Sequence, residues 1–166
     1  MNDLVARALS AADTPSSKEP QGLCQSDGKR PGGLTLIPWQ SGKSLVWDVT
    51  VVCPLADSYV ASAAREAGSV AELAASKKMD KYTSLAVDYH FQPIAVEMLG
   101  PINELASHFL TVLVHKLANI LETSGRLPFY FSAFLFCCSD RTAFCFTIRL
   151  FVRTARSNGH SYNCLH

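Results

Sequence analysis
Residues 44–53, Ser-Leu-Val-Trp-Asp-Val-Thr-Val-Val-Cys, constrain the fold more than any other stretch. Side chains alternate along a strand, so Leu45, Trp47, Val49, Val51 and Cys53 share one face and are all apolar. Ser44, Val46, Asp48, Thr50 and Val52 share the other. The wealth of Val, Trp and Thr suits a pleated, packed surface. A second apolar run, Gly33-Leu-Thr-Leu-Ile-Pro-Trp39, precedes it, separated by the polar residues 40–43. Together they read as two strands joined by a short turn.

Asp48 is the anomaly. An ionised carboxylate in an apolar strand is costly unless something pairs with it. A lysine, an arginine or a metal ion would serve. A strand carboxylate facing solvent or an arginine is the plain reading, since structural ion pairs are common.

The segment Lys29-Arg30-Pro31-Gly32-Gly33 alters the balance. Arg-Pro-Gly-Gly, a strand ending Pro38-Trp39, and then Trp47-Asp48-Val49-Thr50-Val51 resembles the C-terminal domain of retrotransposon reverse-transcriptase polyproteins, which is similar to restriction-endonuclease-like nucleases of the PD-(D/E)xK type. Lys18-Glu19-Pro20, Lys78-Met-Asp-Lys81-Tyr82 and Phe91-Gln-Pro93-Ile-Ala-Val-Glu97 extend the resemblance, which covers roughly residues 2–118. In that family the first motif reads Arg-Pro-Asp-Gly. Its Asp and the Asp of the next strand jointly bind a divalent metal. This chain has Gly32 in place of the first Asp, and Thr50 where the strand motif has a lysine.

The resemblance implies metal-dependent phosphodiester cleavage of DNA, with Mg²⁺ or Mn²⁺ as cofactor. Such chemistry uses the metal to polarise a phosphoryl oxygen and to lower the pKa of the attacking water. Magnesium takes oxygen ligands and keeps several waters, so one or two carboxylates suffice to hold it. A nearby lysine steadies the developing charge. The implied catalytic set is Asp48, Lys78, Lys81 and Glu19, with Asp48 and Glu97 as metal ligands. Arg30, Lys77, Lys78 and Lys81 are the implied nucleic-acid contacts. Glycine supplies no side-chain ligand, so the expectation is a degenerate module.

Each of these residues also has a plain reading. Glu19 reads equally as a solvated loop carboxylate, and Glu97 as a cap for neighbouring backbone. Lys77, Lys78 and Lys81 read as a solvated basic face, on which Lys77 pairs with Lys81, and Lys78 with Tyr82, at i,i+4 spacing. His90, His108 and His115 read as ordinary surface or helix residues.

The remaining chain predicts an α/β fold, with a small mixed sheet from strands at 33–39, 44–53 and 88–97. Pro93 favours an edge position or a strand start. Helices are expected at 3–12, 58–87 and 101–121, the first capped by Asn2 or Asp3 and buried through Leu4, Ala8 and Ala11 or Ala12. Residues 13–22 read as loop. Gly68 interrupts the second helical stretch, as a break or a kink. Pro101 suits the first position of the third helix, whose stripe is Ile102, Leu105, Phe109, Leu113, Leu117 and Ile120.

Residues 1–122 read as one domain with ten basic and thirteen acidic residues; residues 123–166 carry five and one. Neither balance indicates strong non-specific nucleic-acid binding by the whole chain. The later segment is crowded with Phe and Cys, and its two apolar runs are each about half the ~20 residues a membrane span needs. It is expected not to belong to the fold, its composition resembling translation of intron or shifted frame, and membrane association is a weaker alternative. The six cysteines form no CxxC pair, so zinc is not expected, and reduced thiols in a cytoplasmic or nuclear protein are. No polymerase Tyr-x-Asp-Asp occurs, so the chain reads as a fragment or relic. A non-catalytic nucleic-acid-binding or protein-interaction domain on the same scaffold is the alternative.

Overall fold
A computed structural model describes residues 1–24, 28–98 and 100–123, the side chains of 121–123 excepted. Of residues 123–166, expected as a segment apart from the fold, all but Thr123 lie outside the described residues.

The architecture is mixed α/β. In chain order it runs α1 (Asn2–Ala11), β1 (Ser16–Lys18), β2 (Gly33–Gln40), β3 (Lys43–Val52), α2 (Val60–Ala63), α3 (Ser69–Lys81), β4 (His90–Glu97) and α4 (Glu104–Thr123). The strands form one sheet in the order β1-β2-β3-β4. The first three are antiparallel, and β4 lies parallel to β3 with Asp48 opposite Pro93. Pro93 therefore sits on the edge strand, where a missing N–H costs no ladder bond. The β2–β3 hairpin closes through Ser41 and Gly42, both at positive φ, the backbone twist that two-residue hairpins favour.

Both sheet faces are covered. On one, Leu45, Trp47, Ile94 and Val96 pack against Val5, Ala8 and Leu9 of α1 and Phe109, Leu113 and Leu117 of α4. On the other, Val52 and Ala95 meet Val70, Ala71, Ala74 and Ala75 of α3, while Val46 and Phe91 meet Tyr82. This coverage corrects the expected polarity of β3. Val46 and Val52 are buried along with Leu45 and Trp47, because a sheet covered on both sides has no solvent face. Val51 is 58% exposed and Cys53 is exposed, whereas Val52 between them is covered by α3. Val49 is half-buried against the core.

Other expectations shift in detail. The helical stretch 58–87 is divided into α2, α3 and a 3₁₀ turn at Thr83–Ala86, and Gly68 begins α3 with φ of +91°, a conformation that glycine adopts without a Cβ penalty. The first helix starts after Met1 with no side-chain cap, and its buried face is Val5, Ala6, Ala8 and Leu9, with Leu4 only partly covered. The third helix starts at Glu104 rather than Pro101, and Leu105 is 52% exposed. Ala106, Leu110 and Val114 fill that stripe instead. Residues 16–18, expected as loop, pair with Gly33–Thr35 as β1.

Candidate functional site
Sheet register assembles the site. Lys18 opposes Gly33 in the β1–β2 pair, and the Glu19 N–H donates to the Gly32 carbonyl at 3.3 Å. Gly33 opposes Trp47 in the β2–β3 pair, so Gly32 opposes Asp48. Carried one residue past the ends of β1 and β2, this register sets Glu19, Gly32 and Asp48 in one row. Adjacent strands lie about 4.8 Å apart, which puts the Glu19 and Asp48 backbones about 10 Å apart with Gly32 between them. Residues that stand directly opposite share a face. Glu19, just past the end of β1, has a φ of +47°.

Helix α3 supplies the fourth member. It runs back over the Asp48 face and brings Lys78 Nζ to 2.6 Å from Asp48 Oδ2, with side-chain exposures of 26% and 10%. Helical geometry selects this lysine. Lys78 and Tyr82 are one turn apart and both face the cleft, which is lined by Asn2, Glu19, Gly28, Lys29, Arg30, Pro31, Gly32, Asp48, Lys78 and Tyr82 and encloses roughly 390 Å³. Lys77 points elsewhere. Its Nζ donates to the Tyr59 hydroxyl at 3.2 Å and lies 5.0 Å above that ring. Lys81 sits 5.2 Å over the Tyr82 ring and does not line the cleft. Of the expected site residues, then, Glu19, Arg30, Asp48 and Lys78 come together around Gly32, whereas Lys77 and Lys81 do not.

Glu97 is a correction. It pairs with Val52, four residues along β3 from Asp48 and hence about 13 Å away. Its Oε1 accepts from the N–H groups of Val70 and Ala71 at 3.1 and 3.2 Å. The buried carboxylate satisfies the open donors at the start of α3, where negative charge is favoured. It is a helix cap and not a ligand beside Asp48. The cap still bears on the site. Val70 to Lys78 is eight helical residues, about 12 Å, and Val52 to Asp48 is four strand residues, about 13 Å. Pinning one end of α3 at Glu97 sets Lys78 level with Asp48.

The sequence reading missed Asn2, which appeared there only as a cap candidate. Its Oδ1 is buried and accepts no hydrogen bond among the described residues. A Cβ built on Gly32 would collide with this side chain, coming within 2.7 Å of Cγ and 2.8 Å of Nδ2. Gly32 itself is not among the residues at positive φ. Its backbone therefore suits any residue, and the space beside it is filled by the end of a flexible side chain. Nothing in the sequence of α1 marks Asn2 for this, because the contact depends on how α1 docks.

The donor set can be compared with a divalent metal. Among the described residues, no three His, Cys, Asp or Glu side chains come together to hold one. A two-carboxylate site of the expected kind does not fit, since Gly32 has no side chain and Asp48 is neutralised by Lys78.

Comparison with family models, with curated proteins and with solved structures finds no match for this chain.

Proposed function
We propose that the chain is a degenerate, retrotransposon-derived nuclease-like module of the restriction-endonuclease type, whose ancestral activity was metal-dependent cleavage of DNA. The observation that carries this reading is the cross-strand row Glu19–Gly32–Asp48 with Lys78 closing over it. Carboxylates on adjacent strands and a lysine from the following helix are the parts that Mg²⁺- or Mn²⁺-assisted phosphodiester hydrolysis needs. Here the central position of the row is a glycine. The remaining carboxylate is held by Lys78, so the charge that would retain the metal is missing and the wild-type chain does not cleave. Its place would be the cytoplasm or nucleus, where DNA and reduced thiols are found. No helix among the described residues is long and apolar enough to cross a membrane.

A second reading, a non-catalytic nucleic-acid-binding or protein-interaction domain, draws on the rim. Lys29 and Arg30 are exposed beside the cleft, and phosphate contacts there need no metal. A filter-binding and plasmid-nicking assay of the wild type separates the two. The nuclease-relic reading expects no nicking at any Mg²⁺ or Mn²⁺ concentration. Salt-sensitive DNA binding lost in Arg30→Ala would favour the second reading. Nicking by the wild type that survives Asp48→Ala would place an active site elsewhere.

A further inference from the structure
The balance of charge in the cleft is positive, and we infer that it seats a terminal phosphate without a metal: the phosphate monoester of a nucleic-acid strand end or of a small molecule. Of its ionisable lining groups, Lys29, Arg30 and Lys78 are cationic and Glu19 and Asp48 anionic. Asp48 and Lys78 cancel as an ion pair at 2.6 Å. Lys29 and Arg30 then face Glu19 alone. Helix α1 adds to this balance. Its first residue, Asn2, lines the cleft, and no side chain caps the helix start. The open N–H groups and partial positive charge of a helix N-terminus favour an anion. The acidic residue of that first turn, Asp3, is engaged by Arg7 and Lys18.

Arg30 is the main contact. It is exposed and makes no ion pair among the described residues. Its guanidinium can meet two phosphate oxygens at once. The residue after it is the buried Pro31, and a residue before proline is restricted to extended backbone. Arg30 is thus presented from a stiff stretch of chain. A volume of roughly 390 Å³ lies at the small end of ligand pockets. That suits one phosphate-bearing group, not a duplex. A phosphate monoester carries about −1.5 to −2 charges at neutral pH, whereas each internal phosphate of a strand carries one. A strand end therefore gains more from this cleft than a strand's middle.

This ligand class deepens the binding reading and rests on the same Arg30. The test is titration calorimetry of the full 166-residue chain at low salt, without divalent metal. The probes are inorganic phosphate and one short single strand carrying either a 5′-phosphate or a 5′-hydroxyl. Inorganic phosphate is expected to bind. Tighter binding of the phosphorylated strand would assign the seat to strand ends, and equal binding of the two strands to a free phosphate monoester. Arg30→Ala is expected to weaken phosphate binding about tenfold or more, the worth of one hydrogen bond to a charged group. Gly32→Asp, which adds a carboxylate, should weaken it too. Asp48→Asn, which releases Lys78, and Glu19→Gln should tighten it, a gain that misfolding cannot mimic. Lys116→Ala, whose ammonium lies over Trp39, should leave it unchanged. No phosphate binding by the wild type, undiminished binding by Arg30→Ala, or weaker binding by Asp48→Asn would each overturn the inference. Salt-sensitive DNA binding without phosphate binding would overturn the seat and leave the binding reading standing; phosphate binding without DNA binding would do the reverse.

Discussion

The Asp48–Lys78 pair should respond asymmetrically to loss of either partner. Asp48 is 7% exposed as a residue, and among the described residues Lys78 is its hydrogen-bonding partner. The Lys78 side chain is 26% exposed. Breaking a fully buried pair costs about 3–5 kcal/mol, and breaking an exposed one about 0–1. In Lys78→Met the stem still packs, but a buried carboxylate is left without its charge partner, so the loss should be about 2–3 kcal/mol. In Asp48→Asn the ammonium left behind can swing into water, so the loss should stay within about 1 kcal/mol. The double variant should be more stable than Lys78→Met alone, because the stranded charge is gone. Urea unfolding followed by the fluorescence of Trp39 and Trp47 reads all four proteins. A loss in Asp48→Asn equal to or larger than that in Lys78→Met would refute the reasoning. Asp48 would then be a structural ion-pair residue and not a carboxylate kept for a ligand.

Trp47 is fully buried across Gly33, whose added Cβ would strike the indole, whereas at Gly32 it would meet only the Asn2 side chain. Trp47→Ala should therefore cost about 3–5 kcal/mol, and Gly33→Ala should destabilise far more than Gly32→Ala in the same urea series. Glu97→Ala should cost about 1–2 kcal/mol by opening the start of α3, with Glu97→Gln recovering part of it in thermal melts. The Lys18 ammonium, with help from Arg7, holds the Asp3 carboxyl below its ordinary value of 3.8. A depressed carboxyl stabilises the fold above its unfolded pKa and loses that contribution as pH falls through the folded one. The wild type's small advantage over Asp3→Asn should thus hold at neutral pH, fade below about pH 4, and shrink in high salt.

Strands β2 to β4 were legible because alternation and β-branched residues are local signals, and Gly68 was legible because a positive φ wants glycine. The cleft-facing lysine was not legible: Lys78 and Lys81 read alike in the sequence, and only the docking of α3 puts Lys78 and not Lys81 beside Asp48. β1 was not legible. Ser16–Lys18 has no strand propensity to speak of and is extended because Gly33–Thr35 offers it an edge. The burial of Val46 and Val52 follows from α3 lying on that face, which alternation within β3 cannot report. Glu97 reads as a ligand in the motif, but its partners are N–H groups 26 and 27 residues away, and only the docking of α3 on β4 reveals a cap. Asn2 depends likewise on where α1 ends.

The central proposal is that Gly32 is the lesion in a degenerate nuclease-like site that keeps Asp48 and Lys78. It is tested most directly by plasmid nicking in Mg²⁺ or Mn²⁺ with Gly32→Asp beside Gly32→Asp/Asp48→Ala. Backbone at residue 32 accepts Asp, and the Asn2 side chain that fills the space can rotate away. The account predicts metal-dependent nicking by the single variant, where the wild type gives none, and its loss in the double variant. A Gly32→Asp protein that folds and binds Mn²⁺ through Asp48 yet leaves the plasmid intact would contradict it.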